Sequence, residues 1–444
     1  MRQLLSNRTF VRLFAGRLVT NAGDSLAAVA TMWLIHELGG SPALTGIAGA
    51  LTLAPSTIQF VFGPLVDRLP LRRVLLSTQI AQLVVVLTVP VAWSLGVLSV
   101  WLVMAIGPLT ALLNQPVYPA QSAALPRIVE AEDLTDANSA FAFALQGSDS
   151  VLNAIAGVII AAVGGIAIFV VDAVTFAIAA LLFARLTLDG TVADADPDGT
   201  AATAVSTDGG ADEQTDDSAL DTDGAEGTDE GSLTASVSSY WSDLIEGFSF
   251  VRGTVLLHLA FIPTIVNFHG GMSLALMPAF ADTLGGATAY GTLLAVMAGG
   301  GLVGSLIASP VDGVRYGLLA PTALAISGLA LLCAILVPGL VPTAVLFCVG
   351  VLPIGVLNVL SSALIQSAVP EGMVGRVTAL MVSTSSMAAP LGAVIGGSLA
   401  GVFGVIPVFA AGSLTFFLAA LHHLIVPSVR KLPPVAETPR ITKE

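Results

Sequence analysis

The chain has 444 residues, of which 55% are hydrophobic and only 10% are charged. Soluble domains carry about 25% charged residues, so this composition excludes the soluble enzyme classes as the main interpretation. The formal net charge is −14, but 14 of the 30 acidic residues lie between Asp189 and Glu230, where no basic residue occurs. Outside that segment the remaining 16 acidic residues balance the 16 Lys and Arg residues, so the acidity belongs to one segment.

Six apolar runs precede the acidic segment and six follow it. The first six lie near residues 11–35, 44–65, 74–94, 98–118, 139–163 and 165–185. The second six lie near residues 254–280, 287–309, 318–337, 342–364, 378–402 and 404–426. Most contain 20 or more residues, which is enough to cross the hydrocarbon layer as helices. The pattern therefore predicts an all-α integral membrane protein with 12 transmembrane helices in two bundles.

The composition of the acidic segment predicts a linker between two domains. It holds many small and polar residues and no aromatic residue, so it cannot bury enough apolar area to offset the entropy of ordering. We expect residues 1–188 to form a six-helix bundle, residues 189–232 a disordered linker, residues 233–430 a second six-helix bundle, and residues 431–444 a tail.

The distribution of Lys and Arg predicts the orientation of the spans. All of these residues except Arg17 lie before span 1, after even-numbered spans, beside the linker or in the tail. The opposite loops contain none. By the positive-inside rule, we expect a multi-pass protein of the plasma membrane with both termini and the linker in the cytoplasm.

The two blocks resemble each other at nearly constant offsets. Asn114 and Asn358 are 244 positions apart, and the segment Gln121–Pro126 is echoed by Gln366–Pro370. In the last two spans of each block the offset falls to 240. Six spans per repeat is an even number, so both repeats insert the same way up, and a pseudo-two-fold axis runs along the membrane normal. This is an architecture of alternating-access transporters.

The loop after span 2 carries a recognisable pattern. Its residues are Gly63, Leu65, Asp67 and Arg68, followed by the basic pair Arg72 and Arg73. The pattern resembles the loop signature of the major facilitator superfamily. This resemblance implies the twelve-helix fold of that family. It also implies a gating latch in which Asp67 lies at the N-terminus of span 11, where the helix dipole favours a carboxylate, and pairs with a nearby Arg.

Further positions resemble one branch of that family, the drug and siderophore exporters that include macrolide efflux proteins. They are Asn7, Arg8, Phe10 and Leu13 leading into Gly23, Asp24 and Ser25, then Leu125, Pro126, Ala137 and Asn138, and later Gly375, Arg376 and Val377. The branch resemblance implies export of small molecules.

Asp24 is the most unusual residue of span 1. It lies 12 residues past Arg12, about 18 Å along the helix, and charge inside a membrane is costly and usually functional. Helical spacing places it on one face with Arg17, Asn21 and Ala28. We expect Asp24 to be a proton- or cation-coupling carboxylate facing a central cavity, or else a structural group that pairs with Arg17.

Polar residues in other spans extend this candidate site. Asp149 in span 5 is expected either to gate or couple transport or to make a structural contact, and Asp172 in span 6 is expected to be structural. His269 falls where the duplication places Asp24 in the second block, with Asn267 beside it; either could touch substrate or relay protons, and a packing histidine is an equal alternative. The resemblance implies that two further residues line the cavity: Asn114 and Asn358.

These features predict a secondary active transporter, a proton-coupled antiporter that exports amphipathic, hydrophobic or weakly cationic small molecules, including drugs. The glycine run 299–301 lies inside a span and lacks a following Lys-Ser/Thr, so it is not a phosphate loop. No cofactor, metal site or nucleic acid partner is expected, and the expected partners are the substrate, protons and the lipid bilayer, with the chain a monomer. An importer of a small nutrient is the alternative, and a membrane-embedded enzyme, which needs a convergent polar set, is a remote one.

Overall fold

The computed structural model describes residues 4, 6–55, 66, 69–186, 248–370 and 373–440. All regular secondary structure in these ranges is helical, and no strand occurs among them. The predicted linker, residues 189–232, lies outside the described residues. The all-α class predicted from the apolar runs is confirmed.

The helices fall into two sets, one before and one after the predicted linker. The first set is α1 (Arg8–Glu37), α2 (Pro42–Leu53), α3 (Leu71–Ser94), α4 (Val100–Asn114), α5 (Val117–Ile128), α6 (Leu134–Val163) and α7 (Gly165–Phe183). The second set is α8 (Val255–Leu259), α9 (Phe261–Asp282), α10 (Ala287–Val311), α11 (Tyr316–Leu336), α12 (Leu340–Ala368), α13 (Val374–Phe403), α14 (Val405–Ile425) and α15 (Pro427–Arg430).

Most of these helices can cross a membrane. In the described part of the chain, 10 spans are long and apolar enough, with α4–α5 and α8–α9 each counting as one span. The other two predicted spans contain α2, of which 12 residues are described, and α6, which has 30 residues. A crossing helix needs about 20 residues, so α6 is also long enough.

The helix boundaries repeat at the offsets that the sequence shows. The starts of α2 and α10, Pro42 and Ala287, are 245 positions apart, and so are the starts of α3 and α11. The helices α6 and α13 match at both ends at an offset of 240. The internal duplication is therefore present in the helices of the structure. The offset falls from 245 to 240 because the first half has a few more residues between its fourth and fifth spans.

Asn7 fixes the start of α1. Its side-chain oxygen accepts hydrogen bonds from the backbone N–H groups of Thr9 and Phe10 at 3.0 and 3.2 Å, which is the geometry of a helix N-cap. Its Nδ2 donates to the carbonyl oxygen of Ile128 at 2.6 Å. One side chain thus caps α1 and attaches it to the end of α5.

Two arginines close the end of α7. Nη1 of Arg12 donates to the carbonyl oxygen of Arg185 at 2.7 Å, and Nη2 of Arg72 donates to that of Ala184 at 2.6 Å. Carbonyl groups at a helix C-terminus lack intrahelical donors and carry partial negative charge, so guanidinium groups stabilise this end. The ends of α1, α3 and α7 are thereby joined just before the linker.

The two halves touch closely at the end of the bundle opposite both termini, which we call the distal end. A methyl group on Gly46 of α2 would collide with the carbonyl oxygen of Ala393 in α13. In the same way, methyl groups on Gly157 of α6 and Gly291 of α10 would each collide with the facing backbone. Small residues let helix backbones approach in a membrane, so these contacts form a tight distal seam.

Two side-chain pairs add to the distal seam. The rings of Trp33 in α1 and Tyr290 in α10 stack with centroids 5.6 Å apart, and both are buried. Nε2 of His36 in α1 lies 3.6 Å from a carboxylate oxygen of Asp282 at the end of α9. Each pair joins one half of the protein to the other.

Candidate functional site

A cavity of about 180 Å³ opens within the first half, between α1, α2, α3, α4 and α7. Its polar lining residues are Asp24, Thr31, Thr52, Thr110, Asn114 and Asp172, and its apolar walls include Met32, Val86 and Phe169. We call it the first cavity. Two predicted site residues, Asp24 and Asn114, line it together.

The predicted face of α1 is divided between different neighbours. Asp24 and Ala28 line the first cavity, whereas Arg17 is buried and its Nε donates to Oε1 of Gln121 in α5 at 2.8 Å. No ion pair joins Arg17 to Asp24 among the described residues. The guanidinium therefore packs against α5 and leaves the Asp24 carboxylate to the cavity.

Asp149 joins α6 to α1. Its Oδ1 accepts a hydrogen bond from Nδ2 of Asn21 at 2.7 Å and another from the hydroxyl of Ser25. Nδ2 of Asn21 also donates to the carbonyl oxygen of Leu145 at 3.2 Å. The predicted residues Asn21 and Asp149 are thus brought together, on a side of α1 that does not line the first cavity.

Asp172 is the second carboxylate of the first cavity. It is only 1% exposed, and its Oδ1 accepts a hydrogen bond from Oγ1 of Thr175 at 3.3 Å. A methyl group on Gly23 of α1 would collide with both side chains. The close approach of α1 and α7 at Gly23 therefore places Asp172 on the wall of the cavity that Asp24 lines.

A cavity of similar size, about 170 Å³, opens within the second half between α9, α12 and α13. Among the described residues, its lining carries hydroxyl and amide groups and no charged side chain, and we call it the second cavity. The polar lining residues are Asn358, Ser361, Ser362, Gln366, Thr378 and Ser385. Asn358 and Asn114, which the duplication pairs, therefore line one cavity each.

Two other predicted cavity residues lie elsewhere. His269 is buried, with its ring 5.0 Å from that of Phe416 in an edge-on arrangement, and it lies against Gly412 of α14. Asn267 donates from Nδ2 to the carbonyl oxygen of Pro263 in its own helix at 2.9 Å. Neither residue lines the first or the second cavity.

Part of the predicted gating motif can be placed. Gly63, Asp67 and Arg68 lie outside the described residues. Arg72 is exposed and caps α7, as described above, and Arg73 beside it is also exposed. The pairing of Asp67 with an arginine stays a prediction.

The structure also shows residue pairs that the sequence did not indicate. Nδ1 of His258 lies 3.2 Å from Nε2 of His422, which joins α8 to the end of α14. The His36–Asp282 pair at the distal seam is the other. No sequence signal identified either pair, because their members are far apart in the chain. In the described part of the chain, no group of three or more potential metal ligands occurs.

Comparison with known proteins identifies the family. The sequence model of the Major Facilitator Superfamily matches residues 13–392. The chain belongs to this superfamily. Its fold is that of major facilitator transporters, and the chain is a multi-pass membrane transporter of small molecules and not an enzyme, as predicted.

Major facilitator proteins of two bacteria are similar along almost the whole chain. The multidrug efflux pump Tap of Mycobacterium tuberculosis (strain ATCC 25618 / H37Rv) is 28% identical over 438 residues, which cover 96% of both chains. The MFS-type transporter YvqJ of Bacillus subtilis (strain 168) is 24% identical over 436 residues, covering 96% of this chain and 93% of that protein.

A solved structure agrees with the fold. The bacterial homolog of the human lysosomal transporter Spinster, in an inward-facing and unoccupied conformation, matches with a TM-score of 0.66. The match covers 94% of this chain and 96% of that one, at 13% sequence identity. At this identity the likeness concerns the fold alone.

Proposed function

We propose that this chain is a proton-coupled antiporter that exports amphipathic small molecules across the plasma membrane. The observation that carries the proposal is the position of Asp24, halfway along a membrane-spanning helix. Its carboxylate lines the first cavity and forms no ion pair with Arg17. Burying a charged carboxylate inside a membrane costs free energy, and carboxylates in such places usually have a function. Similarity to a multidrug efflux pump supports the direction of transport.

The two halves supply the moving parts of this proposal. The positive-inside pattern of the sequence favours both termini in the cytoplasm, so the distal seam would close the outer side. Alternating access then requires the seam to open while the opposite side closes around the substrate.

Asp149 supplies a route from protonation to movement. Its carboxylate accepts hydrogen bonds from Asn21 and Ser25 of α1, and it lies on the same helix as Gly157 of the distal seam. Eight residues separate the two positions along α6. Protonation near Asp24 and Asp149 would weaken the hydrogen bonds that Asp149 accepts from α1. A shift of α6 that follows would then reach Gly157 at the distal seam.

Gradient-driven transport in inverted membrane vesicles tests the proposal. We expect uptake of cationic dyes into vesicles that hold the full chain when the interior is acidic, and no uptake when the gradient is collapsed. Asp24→Asn should abolish the gradient-driven part and keep passive exchange, whereas Asp312→Asn, an exposed carboxylate at the end of α10, should behave as the unmodified protein. Full uphill transport by Asp24→Asn would reject the coupling role, and gradient-driven movement only in the opposite direction would favour the importer.

A further inference from the structure

The two halves fill equivalent places with different groups. At the offset of 245, Arg17 corresponds to Ile262 and Gln121 corresponds to Gln366. In the first half the Arg17 guanidinium occupies the space and donates to Gln121 at 2.8 Å, with both residues buried. In the second half the shorter, apolar Ile262 stands in that place, and Ile262 and Gln366 line the second cavity.

The first cavity shows the reverse exchange. Asp24 corresponds to His269 at the same offset, and Asp172 corresponds to Gly412 at the offset of 240. In the second half the side chain of Met272 occupies the space beside Gly412, with the imidazole of His269 next to it, whereas in the first half Asp24 and Asp172 line an open cavity. By the sequence offset, the second cavity is lined by the isoleucine that replaces Arg17 in the second half.

The hydroxyl groups of the second cavity are arranged to accept hydrogen bonds. The hydroxyl of Ser362 already donates to the carbonyl oxygen of Asn358 at 2.8 Å, and that of Ser385 donates to the carbonyl oxygen of Val382 at 3.1 Å. A hydroxyl has one proton to give and two lone pairs. Once the proton is used by the helix backbone, what remains toward the cavity is acceptor capacity.

The geometry points to the second cavity as a binding site for the cationic, N–H-rich end of a transported amine or guanidine. That end would donate to Gln366 as the Arg17 guanidinium donates to Gln121. Apolar walls formed by Ile262, Ile365 and Met381 face the rest of an amphipathic molecule. The described residues of this lining hold no carboxylate, so recognition by them rests on neutral oxygen acceptors, which bind N–H donors and release them without breaking an ion pair. This inference rests on the proposed export of amphipathic molecules and specifies their polar end.

Binding of two matched cations to the full chain in lipid nanodiscs tests the inference. Octylguanidinium and octyltrimethylammonium carry the same charge and chain, but only the first has N–H donors. Hydrogen bonds to charged groups contribute about 1.5–3 kcal/mol, so we expect octylguanidinium to bind at least about tenfold more tightly. Isothermal titration with no gradient measures this directly, so a failure of coupling or of export direction does not affect the result.

Three variants locate the site. Ile262→Arg should place the chain's own guanidinium in the second cavity and remove octylguanidinium binding, while Ile262→Met, which keeps the wall apolar, should retain it. Ile262 is buried, so an arginine there can prevent folding, and a second variant is needed. Gln366→Leu, at an exposed position of the cavity, should weaken octylguanidinium binding about tenfold. Thr322→Val, at an exposed position of α11 outside both cavities, is the control that should bind normally. Equal binding of both cations, or unchanged octylguanidinium binding in both Gln366→Leu and folded Ile262→Arg, would overturn the inference.

Discussion

The contact between Gly157 and Gly291 allows a direct test of how the two halves close. Alanine at either position places a methyl group where the facing helix backbone already lies. Backbone atoms cannot rotate away as a flexible side chain can, so α6 and α10 must separate to accept it. Extra volume in a packed contact costs about 1–3 kcal/mol, and we therefore expect Gly157→Ala to weaken distal closure by about 5- to 150-fold.

The separation of the halves can be measured between two exposed residues of the distal end. Val97 lies in the turn between α3 and α4, and Val341 lies at the start of α12; they are 65% and 73% exposed. Spin labels on Val97→Cys and Val341→Cys, with Cys333 and Cys348 replaced by alanine, report the distance across the seam. Gly157→Ala should move the distance distribution toward longer values and reduce substrate export.

Two glycines on the same helices serve as matched controls. Gly147 of α6 and Gly299 of α10 have open space where a methyl group would be added. Alanine at these positions changes helix propensity as it does at Gly157 and Gly291 but meets no neighbouring backbone. If Gly157→Ala gives the same distances and the same transport as Gly147→Ala, the steric reasoning is refuted.

Two further predictions concern the distal pair and the first helix cap. The contact between His36 and Asp282 joins the two halves at the distal end. Because a partly exposed pair of this kind contributes at most about 1 kcal/mol, His36→Gln should weaken distal closure by no more than about fivefold, measured with the same spin labels, whereas Glu37→Gln should leave closure unchanged. Asn7→Ala removes the N-cap of α1 and its hydrogen bond to Ile128, so we expect the free energy of unfolding to fall by about 1 kcal/mol. The measurement is the unfolding temperature in detergent, which should be lower. An unchanged unfolding temperature would mean that packing alone holds α1 in place.

Much of the fold follows from the sequence because the membrane imposes strong rules. Apolar runs long enough to cross the bilayer predict helices, since no other open structure satisfies its backbone groups there. The offsets between repeated residues predicted two matching bundles, and helix boundaries such as Leu71 and Tyr316 repeat at the same spacing. Both signals are local or periodic, so a single sequence contains them.

The candidate site was less predictable because it depends on which neighbour each face of a helix meets. Helical spacing grouped Arg17, Asn21 and Asp24, yet the structure directs them to α5, α6 and the first cavity, respectively. A helix surrounded by several others has no single inward face, so the period of 3.6 residues does not choose among the neighbours. The partner of Arg17 is 104 residues away, and no short motif could have indicated it.

The cavities were unpredictable for a related reason. Their volumes depend on side chains from several helices at once, and one exchange, such as arginine for isoleucine, opens or fills a space. Asn114 and Asn358 were expected to line a cavity through the family resemblance, and each lies in a cavity lining. His269, placed opposite Asp24 by the duplication, is instead packed between aromatic rings.

The arginines at the end of α7 have a consequence for biosynthesis. Arg12 and Arg72 join the first, third and last helices of the first half through carbonyl groups at residues 184 and 185. All of these groups are synthesised before the second half begins. The predicted linker, residues 189–232, has 44 residues, and at roughly 5–20 residues per second its synthesis takes about 2–9 s. The first bundle therefore has seconds to assemble in the bilayer before the second can compete for its helix faces.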